Sequence, residues 1–208
     1  LPEADPVHKI TILSRGRAAG YTMKLPSEEK HMQTRASFLD EIAALLGGYA
    51  AEKLVFGELT TGASNDLKVA TNMARKLVTA YGMSDVLGPI TFAEPSETVF
   101  LGRELGEHTN YSETVATQID AEISRIMREQ LERATEVLQA QRSYLDAIAN
   151  KLVAEETLEQ EQFYDIVKDI VPKDKIGPTL NSTVVPAGVQ PVVNEDTSAA
   201  SAIDAETK

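Results

Sequence analysis

Asp66 is the residue best placed to do chemistry. It stands in the run TGASNDLKVATNMARKL (Thr61 to Leu77), where a Gly-containing loop leads into an apolar-periodic helix. A carboxylate in the first turn of a helix is held rigidly, and a metal site needs such rigidity in its ligands. The bland reading is equally physical: an acid at helix position N2 or N3 interacts favourably with the exposed amides and the dipole, worth about 0.3–1 kcal/mol. Taken alone, the spacing leaves both readings open.

The usual companions of a zinc-binding carboxylate are missing. The chain has no HExxH, no Cys, and no pair of histidines at helical spacing. Its three histidines lie apart: His8 in a strand-like segment, His31 three residues after Glu28 in a charged turn, and His108 beside Glu107 in a Gly-broken stretch. A zinc site needs three or four N, O or S donors around one point. No strong set of that kind can be assembled here from spacing.

Other chemistries find less support. GELTTG (Gly57 to Gly62) has glycines before a helix, as phosphate-binding loops do. It lacks the Lys and the spacing of GxxxxGK[ST], and the nearby Asp66 would repel a phosphate. Ser14, Ser64 and Ser112 have no GxSxG setting and no identifiable base. Arg15 and Arg17 make a small basic spot, suited to a subunit contact or to a solvated loop.

The elements that must position Asp66 follow from periodicity. Val7 to Leu13 (VHKITIL) and Tyr21 to Leu25 (YTMKL) are predicted as two short strands around the loop SRGRAAG. From Thr34 the period becomes helical, with Phe38, Ile42, Leu45, Leu46, Tyr49 and Ala50 on one face of a helix to about Leu54. Gly47-Gly48 in its middle costs roughly 1 kcal/mol per glycine. A neighbouring backbone brought close would justify that cost. The next helix is predicted from about Asn65, capped by Ser64, with Val69, Met73, Leu77 and Val78 inward and Gly82 closing it. Met83 to Asn110 reads mostly as loop.

The longest periodic stretch runs from Ser112 to about Gln139, with Val115, Ile119, Ile123, Ile126, Leu131 and Leu138 along it. Helical pattern continues from Tyr144 to Leu152. Thr157 with Gln160 reads as a capping box for a last helix that Pro172 ends. After Gly177 the composition turns to Pro and small polar residues, so residues 177–208 are expected to be a disordered tail behind a domain spanning 1–176. The fold class is thus mostly α-helical with a small β-strand pair near the N-terminus.

Bulk composition narrows the function. In 208 residues there are 32 acids and 20 bases, a net charge of −12. That argues against nucleic acid, whose phosphates are bound mainly by Lys and Arg. No apolar run approaches the length of about 18 residues that spans a bilayer. The opening LPEADPVHK has neither an initiator Met nor a signal-peptide pattern, so the chain is expected to begin within a longer protein.

Three segments carry a family resemblance. LPEADPVHKITILSRGRAAGYTMKLP, LLGGYAAEKLVFGELTTGASNDLKVATNMARKLVTAYGMSDVLGPITF and VFLGRELGEHTNYSE, with TLEQEQF near the end, resemble the peptidase domain of the FtsH-type AAA+ membrane-anchored zinc proteases, peptidase family M41. The likeness runs from Leu1 to about Asp174. It implies an ATP-dependent zinc metalloendopeptidase acting on unfolded or membrane proteins. In that family an HExxH helix supplies two histidines to zinc and a Glu as general base for a zinc-activated water. The resemblance places that helix just upstream of Leu1 and makes Asp66 the third zinc ligand. It also makes the segment Gly20 to Lys24 an edge strand that pairs with extended substrate, with Gly20, Tyr21 and Thr22 in contact.

The same resemblance implies an upstream ATPase module using ATP and Mg²⁺, and upstream membrane segments. It implies a homo-oligomer, a hexamer, at the inner or plasma membrane with its peptidase domain on the cytoplasmic side, or the organellar equivalent. Without HExxH the 208-residue chain is expected to be inactive on its own, since one carboxylate binds zinc weakly and no general base is present. The competing expectation is a non-catalytic helical module for oligomerisation or as an adaptor. It would use the long charged-and-apolar helix from Ser112.

Overall fold

The computed structural model describes residues 1–14, 20–25, 32–92 and 111–171. Within them the chain is mostly α-helical, with a small antiparallel sheet begun by the N-terminal strand pair. The elements are β1 (Val7–Thr11), β2 (Tyr21–Lys24), α1 (Arg35–Leu45), α2 (Gly47–Val55), α3 (Ser64–Thr79), α4 (Glu113–Ala140), α5 (Arg142–Glu155), β3 (Thr157–Glu159) and α6 (Gln160–Val167). The segments 15–19, 26–31, 93–110 and 172–208 lie outside the described residues. So do the expectations that fall on them: Arg15, Arg17, Glu28, His31, Glu107, His108 and the tail.

The strand pair at the N-terminus is present and is joined by a third strand, in the order β2-β1-β3 with both pairings antiparallel. β-branched residues suit β1 to the middle of the sheet, where Ile10 faces Thr22 on one side and Leu158 on the other. Leu158 is fully buried. The third strand corrects one expectation. Thr157 does not cap a helix; it lies in β3, and its hydroxyl sits 2.9 Å from that of Thr11. The capping box is formed two residues later by Glu159 and Gln162, and α6 begins at Gln160.

Between β1 and β2 the backbones approach closely at one glycine. A Cβ on Gly20 would lie 2.5 Å from the Thr11 carbonyl oxygen and 3.1 Å from Ile12 Cα. Only a residue without a side chain fits there unless the strands separate.

The helical core is aliphatic. Ile42 and Leu46, Ala70, Ala74, Leu77 and Val78 of α3, and Ile119, Ile123 and Ile126 of α4 form one buried cluster. These positions recur every three or four residues, as an amphipathic helix requires. The expected helix from Thr34 to Leu54 is instead two helices. Leu46 ends α1, its N–H reaching the carbonyls of Ala44 and Ile42, and α2 starts at Gly47. Two consecutive residues of poor helix propensity are where such a break costs least. A Cβ at Gly47 or Gly48 would meet nothing within 4 Å among the described residues, so no close backbone approach within this set explains the pair.

Leu77 is fully buried at the centre of this cluster. Leu77→Ala is expected to destabilise the chain by about 3 kcal/mol through lost apolar transfer and a residual cavity. Urea unfolding followed by circular dichroism measures it; a loss under about 1 kcal/mol would mean that this site collapses freely or is not core.

Candidate metal centre and substrate strand

Asp66 is the third residue of α3 and the acid of its first turn. Ser64 is not the cap that periodicity suggests. The Ser64 N–H bonds the Thr61 carbonyl at 3.1 Å, so the chain enters α3 through a tight turn and the serine is already helical. Ala63 occupies the N-cap, with no side-chain hydrogen bond to the helix start. Asp66 is half-buried, and its carboxylate makes no hydrogen bond or ion pair with any described residue. In particular it does not fold back to cap its own helix.

The loop ahead of Asp66 is held by α2. Glu52 accepts from the Thr60 backbone N–H and from the Thr60 hydroxyl, both at 2.8 Å. Thr60 Oγ1 in turn accepts from the Gly62 N–H at 3.0 Å. A Cβ on Gly62 would come within 3.2 Å of both Glu52 Oε1 and Thr60 Oγ1. GELTTG therefore contains a locked turn. Glu52 escaped notice in sequence because a single acid on a helix reads as a solvated face.

The donor chemistry fits zinc at one point only. A carboxylate without a protein partner, on a half-buried residue, is a suitable oxygen ligand. Among the described residues, however, no three His, Cys, Asp or Glu side chains converge. His8 lies in β1 and joins no such group. A metal held at Asp66 would need its other donors from outside the described residues.

Tyr21 and Thr22 open β2 and Gly20 immediately precedes it; β2 pairs only with β1 among the described strands and forms one edge of the sheet. Thr22 and Met23 are exposed. β2 packs on β1 and α3 packs on α1 and α4. Lys24 Nζ, at the end of β2, meets Glu41 Oε1 of α1 at 2.5 Å, and α1 packs along α3. Beside Glu41, buried Asp40 accepts from the Glu3 N–H at 2.7 Å and pairs with Arg133 of α4 at 2.5 Å. α1 thus packs on the helix carrying Asp66 and meets the end of the strand through one ion pair.

Behind α3, a second polar group fixes the loop that follows it. Buried Glu122 accepts from the Ser84 hydroxyl at 2.9 Å and from Arg125 at 2.7 and 2.8 Å. Arg35 closes the other side, donating to the Met83 carbonyl at 2.9 Å and pairing with Asp85. Gly82 allows the turn, with φ +59° and the Ile90 N–H close to where a Cβ would stand. The hydrogen bond from Arg125 holds the Glu122 carboxyl below the usual range, against the opposing effect of burial, with Ser84 helping.

A carboxyl depressed in the fold stabilises it above its unfolded pKa, about 4.3 for glutamate, and that contribution is lost as pH falls through the folded value. Glu122→Gln is therefore expected to cost about 1 kcal/mol near neutral pH, a modest figure because Arg125 is partly solvated. The deficit should shrink below pH 4. Unfolding midpoints of both proteins from pH 7 to pH 3 check this; parallel pH profiles would contradict it.

Comparison with known proteins adds the lineage. The family model for peptidase family M41 matches residues 1–166. The chain is 52% identical over 163 residues to the ATP-dependent zinc metalloprotease FtsH 1 of Thermoanaerobacter sp. (strain X514), covering 78% of this chain and 27% of that protein. It is 45% identical over 195 residues to the FtsH of Veillonella parvula, covering 91% of this chain and 30% of that one. With the FtsH of Bacillus subtilis (strain 168) it shares 48% identity over 168 residues, 80% of this chain and 26% of that one. The chain thus spans under a third of the length of these relatives. No helix among the described residues is long and apolar enough to cross a membrane. A match over four fifths of its length means that this chain belongs to peptidase family M41.

Proposed function

We propose that this chain supplies part of the active site of an ATP-dependent zinc metalloendopeptidase, with Asp66 as one ligand of the metal. The observation that carries the reading is Asp66 itself. It is half-buried, fixed at the head of a core-anchored helix, and its carboxylate is without a protein partner among the described residues. Two imidazoles and a general-base carboxylate, the HExxH set of the family, complete the site from sequence beyond these residues. Bound zinc supplies a Lewis acid and an activated water.

What this chain contributes is position. α3 fixes the oxygen ligand through Ala70, Ala74 and Leu77, which are fully buried. The sheet edge at Gly20, Tyr21 and Thr22 offers backbone pairing to an extended polypeptide, a mode of binding that tolerates many sequences. Unfolded or membrane proteins are the substrates that suit it. The domain comprises residues 1–176, with 177–208 as a tail. The working protein is a homo-hexamer, anchored in the inner or plasma membrane with its peptidase side cytoplasmic, and driven by ATP and Mg²⁺ in a separate module.

By itself the 208-residue sequence, which contains no HExxH, is expected not to cleave. Casein digestion with added zinc tests this, alongside the intact protein as a positive control. Cleavage by the 208-residue chain that vanishes on chelation and in Asp66→Ala would contradict it. An intact protein that is zinc-free and inactive would contradict the wider reading.

A further inference from the structure

We propose that Glu52 is a positioning residue for Asp66, acting through Thr60 rather than by touching the metal. This rests on the reading of Asp66 as a zinc ligand. The helix that carries Asp66 begins without a side-chain cap, because Ala63 stands at its N-cap. Its first turn must therefore be held by the chain that enters it. That chain is the turn from Phe56 to Gly62, and a single side chain pins it.

Both carboxylate oxygens of Glu52 are engaged by one residue eight positions on: Oε2 accepts from the Thr60 N–H and Oε1 from the Thr60 hydroxyl. The hold is passed forward in short steps. Thr60 Oγ1 fixes the Gly62 N–H, the Thr61 carbonyl accepts from Ser64, and the Ala63 carbonyl accepts from Leu67 across Asp66. Glu52 forms no ion pair among the described residues, so neutralising a cation is not its role. Its own helix is anchored independently by the buried Ala50 and by packing on α4. The site of attachment is thus stiff, and what it stiffens is the start of α3.

A ligand held 1 Å out of place costs metal affinity even when its chemistry is intact. Loss of an outer-shell partner typically weakens binding about 10–100-fold. The intact zinc-loaded protein should be titrated with a chromophoric chelator as wild type, Glu52→Ala, Glu52→Gln and Asp66→Ala, with amide hydrogen exchange followed over residues 60–67. Glu52→Ala is expected to weaken zinc about tenfold or more and to speed exchange at Thr60 and Gly62. Glu52→Gln should stay within about threefold of wild type, since its amide can accept from the Thr60 N–H and donate to the Thr60 hydroxyl.

Wild-type zinc affinity in Glu52→Ala, with Asp66→Ala weakened, would overturn the positioning role alone. A Gln variant as weak as the Ala variant would overturn it too, making the carboxylate a direct or electrostatic partner. Undiminished affinity in Asp66→Ala would instead overturn the ligand reading beneath it. If Glu52→Ala does not fold, Thr60→Ala removes the hydroxyl link from the other side. A threefold or greater loss of zinc affinity there supports the role, and an unchanged affinity overturns it.

Discussion

Asp66→Ala, introduced into the intact protein, is expected to lower zinc affinity by more than about 100-fold, beyond the range seen when only an outer-shell partner is lost. Proteolysis should fall to background with it. The fold should scarcely notice. Asp66 makes no hydrogen bond or ion pair with a described residue, so the main loss is its interaction with the helix dipole, about 0.3–1 kcal/mol. This separation of activity from stability sets a ligand apart from a helix-start acid. Metal content by atomic emission and a thermal melt on the same samples measure both sides. Full metal content with a small loss of stability would return Asp66 to the bland reading.

The opposite pattern is expected at Gly20. A methyl group there would sit 2.5 Å from the Thr11 carbonyl oxygen, and both partners are backbone, so β2 must move away from β1. Gly20→Ala should cost about 1–3 kcal/mol in strain. It should lower cleavage of an unfolded protein roughly tenfold or more in the intact enzyme, because backbone pairing at the edge depends on where that strand lies. Zinc content should not change, since β2 packs on β1 and α3 on α1 and α4. Proteolysis at the wild-type rate would remove the strand from the substrate site. Loss of zinc would mean that Gly20 acts on the metal centre instead.

What could be read from the sequence was what depends on local period. The inward face of α4, and Leu77 and Val78 of α3, follow from residues within one or two turns of each other; Val69, expected inward, is instead exposed, and Ala70 and Ala74 are buried beside Leu77. Asp66 in the first turn of its helix was legible for the same reason. Features set by distant pairing were not. Thr157 to Gln160 satisfies a capping-box pattern, yet Thr157 lies in a strand because Thr11, far away in sequence, offers it a ladder. Likewise Glu122 sits among the charged positions of a long helix, and only the fold shows that Ser84 and Arg125 enclose it.

The site itself was legible only in part. Local spacing left Asp66 open between a helix-start acid serving the dipole and a ligand, and family resemblance gave the ligand reading its weight. The structure adds that the carboxylate is not used as a cap and that Glu52 holds the loop before it. Neither feature has a signature in composition: one is an unused group, the other a bond across eight residues.

The most direct test is a crystal structure of the intact protein with diffraction measured at the zinc absorption edge. An anomalous peak about 2.0–2.2 Å from an Asp66 carboxylate oxygen is the expected result. A zinc peak with a complete ligand shell and Asp66 turned away from it would contradict the account.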